Sequence, residues 1–198
     1  YPSKEWILEA SRVLGRGGVH FATHLCGPFS RGYQEEEEPF QEALMALLFM
    51  TIVPQQVRVQ INGTRTNKFK SPIPFVEHIL VAKDVQQGHL YSYESGTFER
   101  SVLFDASGGR GVSVDIGSLV EDFSSTSDMF VQGCKIGLAG GIDASSVQDA
   151  IEAVETMSEI IGGSKRWIDM ETGARTNNEF DKDKVIAILE AANEVLLP

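Results

Sequence analysis

The chain has 198 residues, 42% of them hydrophobic and 23% charged, which is the make-up of a folded globular domain and excludes a disordered, collagen-like or fibrous one. Its 17 Lys and Arg against 28 Asp and Glu give a net charge of -11, and no segment carries the basic patch needed to grip a phosphate backbone or an anionic lipid surface, so neither nucleic acid nor membrane is an expected partner. The longest apolar run, Ala43 to Val53, is too short to span a bilayer, and the two cysteines, Cys26 and Cys134, make neither a disulfide framework nor a CxxC pair, so a reducing, cytoplasmic setting is expected.

Hydrophobic period and turn residues predict strands alternating with amphipathic helices. Ser3 caps a first predicted helix through Trp6, Ile7, Ala10, Val13 and Leu14. A strand is predicted over Val19 to Gly27, then a helix over Phe40 to Met50, behind an acidic run whose carboxylates suit the positive end of a helix dipole. Further strands are predicted over Gln56 to Asn62, His78 to Asp84 and Ser101 to Ser107, the last running into Gly108, Gly109 and Gly111. A strand over Cys134 to Gly141 precedes a helix that Asp143 or Ser145 caps. The last strand spans Arg166 to Gly173, and Asp181 caps the closing helix, where Val185, Ile186, Leu189, Ala192, Val195 and Leu196 recur at helical spacing.

No linker or charge block divides these units, so residues 1–198 are expected to form one domain. Repeated βα units imply a parallel sheet, either a closed barrel or an open doubly wound sheet. Glycines and acids sit at the C-terminal ends of the strands, where both architectures place their sites. Gly140 and Gly141 have no Cβ, so backbone amides there approach a phosphate closely, and the next helix adds its dipole. In isolation the pair fits a plain tight turn better; the matching Thr172-Gly173 turn on the following strand tips the reading to phosphate. Asp105, at the end of an apolar strand, fits either a partly desolvated proton donor or a cap of the next turn.

The ordered segments VLFDASGGRG, GLAGGIDASSVQDAI and WIDMETGARTNNEFDKDKV resemble the last three βα units of phosphoribosylanthranilate isomerase, a (β/α)8 barrel of tryptophan biosynthesis. The resemblance runs from Val102 to about Leu189. It implies that Asp105 is the general acid, that Gly140 and Gly141 hold phosphate after the seventh strand, and that Asp169, Thr172 and Gly173 act after the eighth. It implies a small phosphorylated sugar-type substrate, an Amadori rearrangement and no cofactor. The family's base is a Cys in a Cys-Gly pair on the first strand; here the pair is Cys26-Gly27, which falls on the third strand when strands are counted back from the eighth.

Strand alternation puts His20, Ala22, His24 and Cys26 on one side, where a neighbouring imidazolium would lower a thiol pKa. No metal is expected there, because residues four apart on a strand are separated by about 13 Å. Alternatives are another phosphate-binding barrel enzyme, such as an aldolase using Lys83 as a Schiff base or another sugar-phosphate isomerase, and a barrel relative that binds a phosphorylated ligand without catalysis. The strand count gives six of the eight strands of a barrel, so two further βα units are expected upstream of Tyr1, and a chain with open sheet edges is expected to associate with itself or to depend on them.

Overall fold

The computed structural model describes residue 9 and residues 22–34, 57–62, 76–93, 100–105, 107, 115–162 and 165–196. Six strands neighbour one another in chain order: β1 (Ala22–Leu25), β2 (Val57–Ile61), β3 (Val76–Ala82), β4 (Arg100–Phe104), β5 (Lys135–Ala139) and β6 (Arg166–Asp169). Helices α1 (Gly27–Gln34), α2 (Val85–Tyr93), α3 (Ile116–Thr126), α4 (Val147–Ile160) and α5 (Lys182–Leu196) follow β1, β3, β4, β5 and β6. A doubly wound sheet would reverse its strand order at a switch point. Strictly sequential parallel strands with helical crossovers are the order of a (β/α) barrel, and the fold is α/β with a partial barrel topology.

Two compact units divide the chain within β3, one of residues 1–79 with 96–99 and one of residues 80–95 with 100–198. In the first, β1 and β2 run parallel with Ala22 opposite Arg58 and Leu25 opposite Ile61. Val59 and Ile61 are fully buried. On the alternate face Arg58 Nη2 lies 3.3 Å from Glu77 Oε1, compensating a carboxylate that is only 2% exposed.

In the second unit, β4 pairs with β5 and β5 with β6, placing Val102 opposite Ile136 and Gly137 opposite Trp167. Ser101 to Phe104 are buried on both faces, as expected of a parallel strand covered by helices. Phe104, Phe123 and Phe130 form the aromatic centre of this core, with the Phe123 and Phe130 ring centroids 4.6 Å apart. A Cβ on Gly88 would meet the Phe104 ring at 2.5 Å, so glycine lets α2 lie close on β4.

The strands form where apolar, β-branched runs predict them, with shifted ends. The third predicted strand is Val76–Ala82, because Asp84 leaves the sheet to cap α2: its Oδ1 accepts from the Gln87 amide at 2.8 Å, while Gln87 Oε1 accepts from the Lys83 amide. β1 ends at Leu25, since Gly27, at φ 56°, turns the chain into α1. β4 stops at Phe104, β5 at Ala139 and β6 at Asp169, so Asp105, the glycine pair and Thr172-Gly173 lie in turns beyond the strands. Neither Asp143 nor Ser145 is the N-cap of α4. Ser146 takes that position without a side-chain capping bond, its hydroxyl being engaged with Asp143, whose carboxylate also closes onto Ser145. The helix predicted from Ser3 lies outside the described residues except at Glu9, which is helical, and the one over Phe40 to Met50 lies wholly outside them. Among the described residues no helix is long and apolar enough to cross a membrane.

Candidate functional site

The turn after β5 is built on two glycines in the left-handed region, Gly140 at φ 110° and Gly141 at φ 63°. That backbone is strained for any residue with a Cβ. Ile142 then turns inward and is buried. Asp143 Oδ1 accepts from the Ser145 amide at 2.9 Å and the Ser145 hydroxyl at 2.6 Å, which fixes the entrance to α4. These bonds, the hydroxyl one first, hold the Asp143 carboxyl below the usual carboxylate range.

After β6 the chain makes a 3₁₀ turn over Thr172–Ala174 and then a hairpin of β7 (Arg175–Thr176) and β8 (Glu179–Phe180). Its two loop residues, Asn177 and Asn178, both have positive φ, 52° and 65°, as a type I′ turn requires. Asp181 closes the hairpin and opens the helix. Its Oδ2 accepts from the Thr176 hydroxyl at 2.6 Å, and its Oδ1 from the amides of Asp183 and Lys184 at 3.1 and 3.2 Å. This is the cap the sequence predicts for α5.

The two turns touch. A Cβ on Gly173 would fall on the backbone carbonyl of Ile142, so glycine alone lets the β6 turn seat against the β5 turn. Between them opens a cleft of about 480 Å³, lined by Gly141, Asp143, Ala144 and Ser145 from the first, Thr172 and Gly173 from the second, and Lys184, Ala187 and Ile188 from one face of α5. Among the described residues the amides of Gly141, Ala144 and Gly173 have no acceptor. Gly141 and Ala144, before the N-terminal end of α4, and Gly173 thus present backbone donors of the kind an anion accepts from.

Of the residues the sequence points to, Gly141, Thr172 and Gly173 share this cleft. Gly140 shapes its turn without lining it, and Asp169 ends β6 opposite Ala139. Asp105 lies at the same end of the second unit's sheet, 7% exposed. Its amide donates to the Ala82 carbonyl at 2.8 Å, and its Oδ1 accepts from the Ser107 amide and hydroxyl at 3.1 and 2.5 Å, so the acid closes a turn and is held in one orientation by it. Gly108, Gly109 and Gly111 lie outside the described residues.

Cys26 is exposed in the first unit, where its carbonyl accepts from the Ser30 amide at 3.4 Å in the opening turn of α1. His24 is exposed on β1, and His20 lies outside the described residues. Lys83 is exposed just past the end of β3. Sequence reasoning missed Lys184. The signal for it was present, because a helix capped at Asp181 puts Lys184 in its first turn, where a cation opposes the dipole.

No curated protein matches the chain. The family model for N-(5'phosphoribosyl)anthranilate (PRA) isomerase matches residues 55–191, from just before β2 into α5, with Asp105 and both turns of the cleft inside the matched stretch and Cys26 outside it. With the sequential parallel strands and the cleft at their C-terminal ends, this match over more than half of the chain places the protein in the N-(5'phosphoribosyl)anthranilate (PRA) isomerase family.

Proposed function

We propose that the chain acts in the Amadori rearrangement of an N-(5-phosphoribosyl) arylamine carboxylate, holding the substrate by its phosphate in the cleft between the β5 and β6 turns. The observation that carries this is the cleft itself, where Gly141, Gly173 and Thr172 from consecutive strand ends meet between the N-terminal end of α4 and one face of α5. The arrangement is that of barrels that hold phosphate after their last strands.

Asp105 is the general acid in this reading. Ser107 fixes one carboxyl oxygen, which orients the carboxyl for proton donation. Protonation of the ribose ring oxygen breaks its bond to C1 and leaves the aryl nitrogen doubly bonded to C1. Removal of the C2 proton gives an enolamine, which takes a proton at C1 and loses one from the C2 hydroxyl to become the 1-amino-1-deoxyribulose phosphate. Every proton removed is replaced, so the reaction is an isomerisation with no cofactor. Cys26 is the candidate base by virtue of the Cys-Gly pair it forms. The reading makes the reaction a cytoplasmic step of tryptophan biosynthesis.

The test is growth without tryptophan of a strain lacking this isomerase. The wild-type reading frame is expected to restore growth and Asp105→Asn to fail. No growth with a soluble, folded wild-type protein would overturn the reading.

A further inference from the structure

We propose that Lys184 is the residue with which the cleft selects a phosphate monoester dianion, exchanging the backbone carbonyl of Arg175 for the ligand's phosphate oxygens. This rests on the reading of the cleft as a phosphate site and adds to it a charge that the glycine-built turns do not supply.

Lys184 is the one cation among the described residues that line the cleft. It stands in the first turn of α5, where the helix dipole disfavours a positive charge unless an anion sits between the two. Its ammonium donates to the Arg175 carbonyl at 2.8 Å. An ammonium has three donors and a carbonyl is a neutral acceptor, so this bond leaves two donors for another partner, while the charge also acts on the Asp181 carboxylate at the same helix start.

The neighbouring charged side chains already have partners, Arg175 an ionic one and the two carboxylates neutral donors. Arg175 Nη1 lies 3.1 Å from Glu171 Oε1. Asp143 is occupied by Ser145, and Asp181 by the Thr176 hydroxyl and the first amides of α5. Lys184 is thus the cation at this rim whose side chain has a neutral acceptor, and it borders three amides without one. A phosphate dianion on those amides offers the ammonium charge-assisted hydrogen bonds in place of the neutral one, and such bonds are roughly twice as strong. The exchange costs little desolvation because Lys184 is exposed. It also frees the Arg175 carbonyl, so binding at the cleft removes one of the ties that hold the β7–β8 hairpin to α5.

The test is calorimetric titration of the 198-residue chain with ribose 5-phosphate and with inorganic phosphate, for the wild type, Lys184→Met, Lys184→Gln and Lys184→Arg. Met removes both donor and charge, Gln keeps a donor for the Arg175 carbonyl without the charge, and Arg restores the charge. Met and Gln are expected to weaken binding by about tenfold or more and Arg to recover most of it. Thermal unfolding of the unliganded Gln variant is expected to match the wild type. Undiminished affinity in a folded Gln or Met variant would overturn the assignment of Lys184 while leaving the phosphate site standing. A wild-type chain that binds neither ligand would overturn both.

Discussion

Gly173 lies against the carbonyl oxygen of Ile142 so closely that a single added methyl group would occupy the oxygen's place. The first turn after β5 and the first turn after β6 are therefore in backbone contact at one edge of the cleft. Loops that carry function need such anchoring, because their side chains alone do not hold them against thermal motion.

Gly173→Ala is accordingly expected to move one turn off the other. Because the obstacle is backbone and not the tip of a flexible side chain, the cost is set at about 1–3 kcal/mol, and phosphate affinity should fall with it. Chemical denaturation and ligand titration of the same variant check this; wild-type values in both would show that the turns separate freely.

Gly137 and Trp167 make a comparable pair inside the sheet. They stand opposite one another on β5 and β6, and a Cβ on Gly137 would fall within the indole ring. Gly137→Ala is expected to destabilise by about 1–3 kcal/mol, and Trp167→Leu to relieve part of that loss in the double variant. Additive effects in a double-mutant cycle would mean that the two residues do not share the space.

Asp105→Asn is expected to abolish turnover, by about 10²-fold or more, while the amide still accepts from Ser107 and the fold is kept. Ser107→Ala should lower the rate less, since it loosens the carboxyl without removing it. A Ser107 variant slower than the Asp105 variant would assign the proton donor elsewhere.

The two thiols should differ sharply in reactivity. Burial pushes Cys134 from the ordinary 9.0 up to about 11, whereas Cys26 is exposed. One thiol is expected to react with a disulfide reagent in the native protein at pH 8 and the second only on unfolding. The raised value also means that the stability contributed by the neutral Cys134 thiol is complete below pH 9.0 and is lost as the pH rises towards 11. Simultaneous labelling of both in the folded state would contradict the packing of β5.

At the acid end the sign reverses. Hydrogen bonds from Ser145 lower Asp143, and those from Thr176 and the α5 amides lower Asp181. A carboxylate lowered in the folded state contributes stability above its unfolded pKa and loses it as the pH falls through the folded value. Stability is expected to decline below about pH 4, and Asp143→Asn with Asp181→Asn to flatten that decline. An unchanged acid limb in urea unfolding would remove these caps from the balance.

The strands were legible because Val59, Ile61, Ile79, Val81, Val102, Leu103, Ile136 and Leu138 belong to apolar runs that only a covered sheet buries. Helix α2 was not, because Val85–Tyr93 has almost no apolar period and announces itself only through the Asp84 and Gln87 cap. The hairpin was hidden for a similar reason: Asn177-Asn178 is a weaker turn signal than Asn-Gly, although both residues take the backbone that such a turn needs. The glycines of the site could be read from their repetition at strand ends. Lys184 carried only a weak signal, its place in a first helical turn where a cation opposes the dipole, and a lysine beside Asp183 on a charged helix start looks like solvated surface until the two turns are seen to leave a cleft under it.

The close fit of Trp167 on Gly137 gives the molecule a native optical probe. An indole's emission follows the polarity and mobility of its surroundings, and this ring sits on the strand that leads into the Thr172-Gly173 turn. Trp6 is the only other tryptophan in the sequence. In a Trp6→Phe background, the colour and lifetime of one fluorophore are therefore expected to report how tightly β5 and β6 are packed beneath the two turns, without any label.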